Sequence, residues 1–390
     1  MTTQLLRQWS AQSERHKVLL LTGATLVLAL LLQVMAATKG RHIVSDIPTL
    51  FDLRGIRPSQ PPYLRRPLEY PVLTGLVLWL TSFPGTTRAA FFAVNAAVLA
   101  ALAFVVSVAL QRRCGQRARR WALALPLLLY AFHNWDLVAV APAVTGLIAF
   151  EAGSDVLAGF LLALGASAKL FPGLFVPALV VSRLRSGDRP GAVQLAAGFV
   201  AIVSATKIPV LLLNAHGWWF PFRFQSHRTA GWGTVWFHLF HLPGIHPLLV
   251  GHLVTAANVT SLVVLLSGSL WVMWRAWRSD MSPYAIGALQ IAVFLAASKV
   301  YSPQYDLWLV PFFVLLPLSR RVWFAFCATD LLMYLVVFGH VYGTDRPDLW
   351  MIGVAAVARL LVLFAVVRAV SRGPISLSPD RPVATRSTTG

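Results

Sequence analysis

AAFFAVNAAVLAALAFVVSVAL, residues 89–110, carries no charge, and Asn95 and Ser107 are its only polar side chains. As an α-helix rising 1.5 Å per residue, such a run spans about 30 Å, the hydrocarbon thickness of a bilayer. Comparable apolar runs occupy residues 18–37, 191–213, 248–274 and 350–367. The chain is 57% hydrophobic and 12% charged, with a mean hydropathy of +0.68, too apolar to be covered as a soluble globule. Lipid offers no partner to an open sheet edge, so the spanning state is helix. The sequence predicts an all-α polytopic membrane protein.

The formal charge is +19, from 33 basic against 14 acidic residues. In a soluble protein this excess would suggest nucleic acid. Here the arginines sit in short loops between apolar runs, where the positive-inside rule places them, so no nucleic-acid partner is inferred. Cys114 and Cys327 are the only cysteines, which leaves neither a disulfide framework nor a metal cluster. Residues 1–17 read as a cytoplasmic segment. The apolar run after them is too long for a signal-peptide core and reads as an uncleaved first helix.

The stretch 70–83 is short, broken by Gly75 and followed by Pro84-Gly85. Read as a re-entrant or interfacial helix, it puts the basic loops 111–120, 183–189, 275–278 and 320–321, and the tail after Arg368, on one inner side. This parity gives about twelve crossings. A single transmembrane domain then covers residues 18–368, with outer loops 38–88 and 214–246 and a disordered tail at 369–390. The crossings at 121–132, 137–150, 156–168 and 170–182 are too short to span a full bilayer, so their outer ends are expected below the surface, flooring a cavity. Polar residues at that depth need water or a ligand.

The polar words Ser45-Asp46, Glu69-Tyr70-Pro71, His133-Asn134-Trp135-Asp136, Lys169-Leu170-Phe171-Pro172 and Lys299-Val300-Tyr301-Ser302-Pro303-Gln304-Tyr305 all end apolar segments. On this topology they share the outer side. Carboxylates facing cations suit group transfer from a phosphate-activated donor, which needs a base for the acceptor hydroxyl and positive charge for the phosphate. Asp46, in a loop with Arg41, His42, Arg54 and Arg57, is the first choice of base and Asp52 the second; a helix cap or loop ion pair is the bland alternative. Glu69 equally suits a first-turn acid and Asp136 or Asn134 a helix cap. Lys169 and Lys299 are candidate phosphate ligands against a snorkelling alternative. Arg223 and Arg228, in an aromatic loop, join them. Arg359, near the middle of the last helix, should face the interior, paired with Asp330 or reaching the donor phosphate. Walker A, G-x-G-x-x-G, H-E-x-x-H and G-x-S-x-G motifs are absent from the sequence, which argues against a nucleotide-sugar donor, a metalloprotease and a serine hydrolase.

In this order, the five words resemble those of the type C glycosyltransferases, and among them glycosyltransferase family 87, the actinobacterial polyprenyl-phosphate-mannose-dependent α-mannosyltransferases. The likeness covers most of residues 18–368. It implies a base at Asp46 and, less directly, Asp52. Beside it, the residues' own chemistry makes Lys299, Lys169, Arg223, Arg228 and Arg359 candidate donor-phosphate contacts, and Glu69, Tyr70, His133, Asn134, Trp135, Asp136, Tyr301 and Gln304 candidate substrate contacts. The implied reaction is an inverting transfer of a sugar, mannose first, from a polyprenyl-phosphate donor to a lipid-linked glycan at the outer face of the plasma membrane, among membrane lipids. No cofactor is implied; a divalent cation held by two outer carboxylates stays open. Asp46 is followed by Ile47-Pro48, and the Tyr-Pro word has one proline, both departures from the family pattern that bear on donor and acceptor identity. Arabinofuranose in place of mannose is the alternative within the same fold. A transporter or lipid flippase is the alternative outside it, which should show repeated halves with paired broken helices; the sequence shows no such symmetry.

Overall fold

The computed structural model describes residues 2–38, 45–342 and 348–372. Helix α1 (Thr2–Thr38) is followed by a short α2 (Asp46–Leu53), whose cap Ser45 accepts from the Ile47 amide. After a loop come α3 (Val72–Ser82) and α4 (Arg88–Cys114), the latter capped by Thr87. The chain then forms α5 (Arg119–Ala122), α6 (Leu125–Tyr130), α7 (Leu137–Glu151), α8 (Asp155–Ala168), α9 (Phe175–Arg185) and α10 (Arg189–Leu213). It continues with α11 (Ala215–Ser226), α12 (Val235–Phe240), α13 (His246–Leu249), α14 (Leu253–Arg278), α15 (Pro283–Ala297), α16 (Val310–Leu315), α17 (Arg320–Tyr342) and α18 (Leu349–Arg372). No strand occurs among the described residues. This is an all-α membrane protein.

Among the described residues six stretches are long and apolar enough to cross a membrane: Ser13–Met35, Arg88–Ala122, Arg189–Leu213, Leu253–Arg278, Arg320–His340 and Leu349–Arg372. The shorter apolar helices α3, α7, α8 and α15 lie among them. α7 and α15 are buried nearly all round, as a helix without a polar face must be. α8 and α10 approach closely: a Cβ on Gly159 would lie 2.2 Å from the Leu195 carbonyl oxygen, and one on Gly198 2.5 Å from that of Val156. In a bilayer, small residues at such a seam let backbones approach and dispersion act.

Several boundaries differ from those expected. The N-terminal segment is helical from Thr2. The expected crossing at 121–132 is broken between α5 and α6, at Leu123 and Ala124, because Pro126 has no N–H for the Ala122 carbonyl and its ring would clash with it, so it sits in the first turn of a new helix. The crossing at 170–182 begins as a 3-10 turn, Phe171–Leu174, and α9 runs on to Arg185. The outer loop 214–246 holds α11 and α12. α18 continues to Arg372, so residues 369–372, expected in a disordered tail, are helical. Residues 373–390, Arg41 and His42 lie outside the described residues.

The basic loops meet at one end of the bundle. Arg113 pairs with Glu151 at 2.5 Å, Arg119 with Glu14, and Arg183 with Asp155 at 2.9 Å; Arg275 donates to the Ser371 carbonyl. The polar words gather at the other end, tied by backbone and side-chain bonds. The Asp46 amide donates to the His133 carbonyl at 2.8 Å, Thr74 to that of Ala168 and Gly231 to that of Lys299.

Candidate active site

The inner half of the site is built on the 131–136 turn between α6 and α7. Ser45 donates to the Phe132 carbonyl at 2.8 Å and so fixes α2 against that turn. Asp46, at the first position of α2, then points its carboxylate at the turn's side chains. Asn134 Nδ2 donates to Asp46 Oδ2 and to the Tyr70 hydroxyl, both at 2.7 Å. His133 Nε2 stands 3.7 Å from the same carboxylate oxygen. His133 and Asn134 are buried, while the Asp46 side chain is 37% exposed. A partly exposed carboxylate held by a buried amide is placed to take a proton from a ligand hydroxyl.

Next to it lies a cation in an aromatic enclosure. Lys169 Nζ donates to Asp136 Oδ1 at 2.7 Å, and Trp308 Nε1 donates to the same oxygen at 2.6 Å. The ammonium also sits 5.4–5.8 Å from the ring centroids of Tyr70, Tyr305 and Trp308. Trp308 is stacked between Phe171 at 4.4 Å and Tyr305 at 4.1 Å. Burial, with the Asp46 carboxylate second, pushes the Tyr70 hydroxyl well above its ordinary pKa, so it stays protonated. Burial also raises Tyr305, against the nearby Lys169 charge. Tyr305 thus lies against both Lys169 and Trp308, on the side of the enclosure next to Tyr301.

A third, closed cluster forms the wall behind Tyr305. Arg359 Nη2 lies 3.1 Å from Asp306 Oδ1, and Tyr301 donates to that carboxylate at 2.5 Å. The guanidinium stacks 3.5 Å over the Tyr301 ring, and Tyr130 donates to Asp330 at 2.9 Å. The partner of Arg359 is therefore Asp306, not the expected Asp330. Asp306 arrives on the 3-10 turn Pro303–Trp308, and Asp330 is occupied from the α6 side by Tyr130. Arg359, Asp306 and Asp330 are all buried.

The other predicted residues fall outside this convergence. Asp52 is six residues along α2 from Asp46, about 240° around the helix; it is 52% exposed and lies 3.5 Å from Arg88. Glu69 accepts from Arg54 at 2.8 Å, and Arg57 stacks on Phe51 and donates to the Ile56 carbonyl. Trp135 is fully buried, donating to Asn95 at 2.7 Å behind Tyr70. Gln304 is buried and accepts from Ser302. Lys299 donates to the Arg228 carbonyl at 2.7 Å and to Asn258, clamping the aromatic loop onto α14. Burial, then the Arg228 charge, pushes Lys299 down to about 8. Arg223 is near His216, and Arg228 lies over Phe224 at 5.8 Å.

Two supports were not legible as site residues. Tyr63, in the left-handed region at φ 66°, donates to the Tyr70 and Pro71 carbonyls at 2.9 Å each. Its ring fills the space a side chain at Gly75 would need, with a Cβ there 2.2 Å from the hydroxyl. Trp308 is the other. Its place at the end of the Lys299–Tyr305 word was the only signal. Among the described residues no group of three or more His, Cys, Asp or Glu is arranged to hold a metal ion. No protein-family model matches the chain, and no curated protein sequence is similar to it.

Proposed function

We propose that the chain is a membrane glycosyltransferase of the type C fold, moving a sugar, mannose first, from a polyprenyl-phosphate donor to a lipid-linked glycan acceptor, with inversion. In this reading the short helices complete about twelve crossings, and the site faces the outside of the plasma membrane. The observation that supports it most is the Asp46 carboxylate, partly exposed and fixed by Asn134 and α2. An acceptor hydroxyl gives its proton to Asp46 as its oxygen forms a bond to the anomeric carbon. The anomeric carbon–phosphate oxygen bond breaks on the opposite face, and its electron pair leaves with the polyprenyl phosphate. The leaving group is already an anion, so no general acid is needed. Fixing both substrates in one recess supplies the orientation.

The test is sugar transfer by the purified protein, supplied with polyprenyl-phosphate mannose and, separately, arabinofuranose, and a lipid extract as acceptor. Wild type transfers one of them, and a folded Asp46→Asn variant does not. Full activity in Asp46→Asn removes Asp46 as the base, and wild type inert toward both donors overturns the glycosyltransferase reading.

A further inference from the structure

An apolar groove of about 910 Å³ runs between α1 and α4 and reaches Pro48 on α2, the helix that carries Asp46. Its α4 wall extends from Arg88 to Phe104, sixteen residues or about 24 Å of helix, most of a bilayer's hydrocarbon depth of about 30 Å. Ala89, Ala93, Ala97 and Ala100 line that wall, facing Gly23, Leu26 and Leu30 of α1. The outer end is closed by Pro48, two residues from Asp46, and by Phe132, whose carbonyl accepts from Ser45. Arg88 is the one charged residue among those lining the groove, and it stands at this outer end.

Three of the candidate phosphate cations are already engaged, while Arg228 lies over the Phe224 ring. Lys169 is paired with Asp136 and Arg359 with Asp306, while Lys299 spends its donors on Asn258 and the Arg228 carbonyl. Arg88 is 54% exposed and meets Asp52 at 3.5 Å, itself half exposed, an arrangement that solvent screens and that holds the guanidinium weakly. A chain-shaped apolar slot with a guanidinium at its mouth matches a lipid with a phosphate head, since arginine presents a planar fork to phosphate.

We infer that the α1–α4 groove holds the tail of the phosphate-headed lipid donor, with Arg88 on its phosphate. The inference rests on the glycosyltransferase reading for the identity of the lipid. Its physical basis is the groove's depth along the helices, its contact with Pro48 of the helix that carries Asp46, and the charge at its mouth. Apolar burial supplies the affinity, and Arg88 sets the height of the head relative to Asp46.

The experiment uses the full chain in lipid nanodiscs and a polyprenyl phosphate carrying a photoactivatable diazirine in its tail. Labelled peptides are mapped, and competition is measured against unlabelled polyprenyl phosphate and phosphatidylglycerol. Labelling should fall on α1 and α4 and be displaced by polyprenyl phosphate, not by phosphatidylglycerol. Ala93→Trp and Ala97→Trp, which fill the slot, should each weaken labelling about tenfold or more. Arg88→Gln should weaken it while leaving its position unchanged. Ala101→Trp, on the exposed side of α4 outside the groove, controls for tolerance of the bulk and should label as wild type does. Labelling elsewhere with sugar transfer intact overturns the groove and leaves the enzyme reading standing. Labelling in the groove without transfer of any sugar supports the groove and overturns the enzyme reading. Displacement by phosphatidylglycerol alone makes the occupant a bilayer phospholipid and overturns the inference.

Discussion

Lys169→Met separates two roles for the buried lysine, partner of Asp136 or ligand of a donor phosphate. The Lys169 and Asp136 side chains are 10% and 0% exposed and 2.7 Å apart. At an effective dielectric near 20 their attraction is about 6 kcal/mol, most of it offset by desolvation. Removing one partner strands the other charge, at a typical cost of about 3–5 kcal/mol. Methionine keeps the stem's packing among Tyr70, Tyr305 and Trp308, and Trp308 still donates to Asp136, so the lower end, about 3 kcal/mol, is expected. Asp136→Asn alone strands the ammonium and should cost a similar amount, while the double variant strands nothing. The double variant should therefore be more stable than either single one, a coupling of about 2 kcal/mol or more. Reversible unfolding in mixed detergent micelles, followed by tryptophan fluorescence, measures all four proteins. If Lys169→Met stays within about 0.5 kcal/mol of wild type, or the losses simply add, the pair is not structural and the lysine's charge is available to a substrate.

Asp46→Asn should lower the transfer rate by about 10²–10⁴, the range for a lost general base, with an unchanged melting temperature. Asn134→Ala, which frees Asp46 and Tyr70 from their shared donor, should lower the rate less while leaving the acceptor KM near its original value; an unchanged rate would remove Asn134 as a positioning residue. Gly75→Ala drives a methyl group into Tyr63 and should cost about 1–3 kcal/mol, read as a lower melting temperature together with reduced transfer. For Lys299 the folded pKa of about 8 lies below its ordinary 10.5. Between those values the unfolded chain binds the extra proton, so stability contributed at this position rises with pH. The stability of wild type relative to Lys299→Met should therefore climb between about pH 8 and 10.5 and be flat below 8; a flat difference throughout would mean Lys299 titrates normally.

Composition and periodicity alone decided that this chain is helical and lives in a membrane. Uncharged runs as long as residues 89–110 have one stable home, and arginine-bearing loops such as 111–120 are held to one side by a rule that acts on each loop separately. The same local logic picked out Asp46, Asn134 and Lys169, because polar residues at the ends of short apolar segments are costly unless they have partners. The identity of those partners could not be read from the chain. Asp136 and Lys169 are 33 residues apart, Trp308 is 172 from Asp136, and Arg359 chose Asp306 over the expected Asp330. Pairing between buried charges is set by which helices touch and at what height, a property of packing between distant segments that no short window of sequence contains. Asp52 shows the converse: six residues from Asp46 in the chain, it is turned by the helical twist onto a solvent face with Arg88. The groove between α1 and α4 likewise exists only where two helices meet.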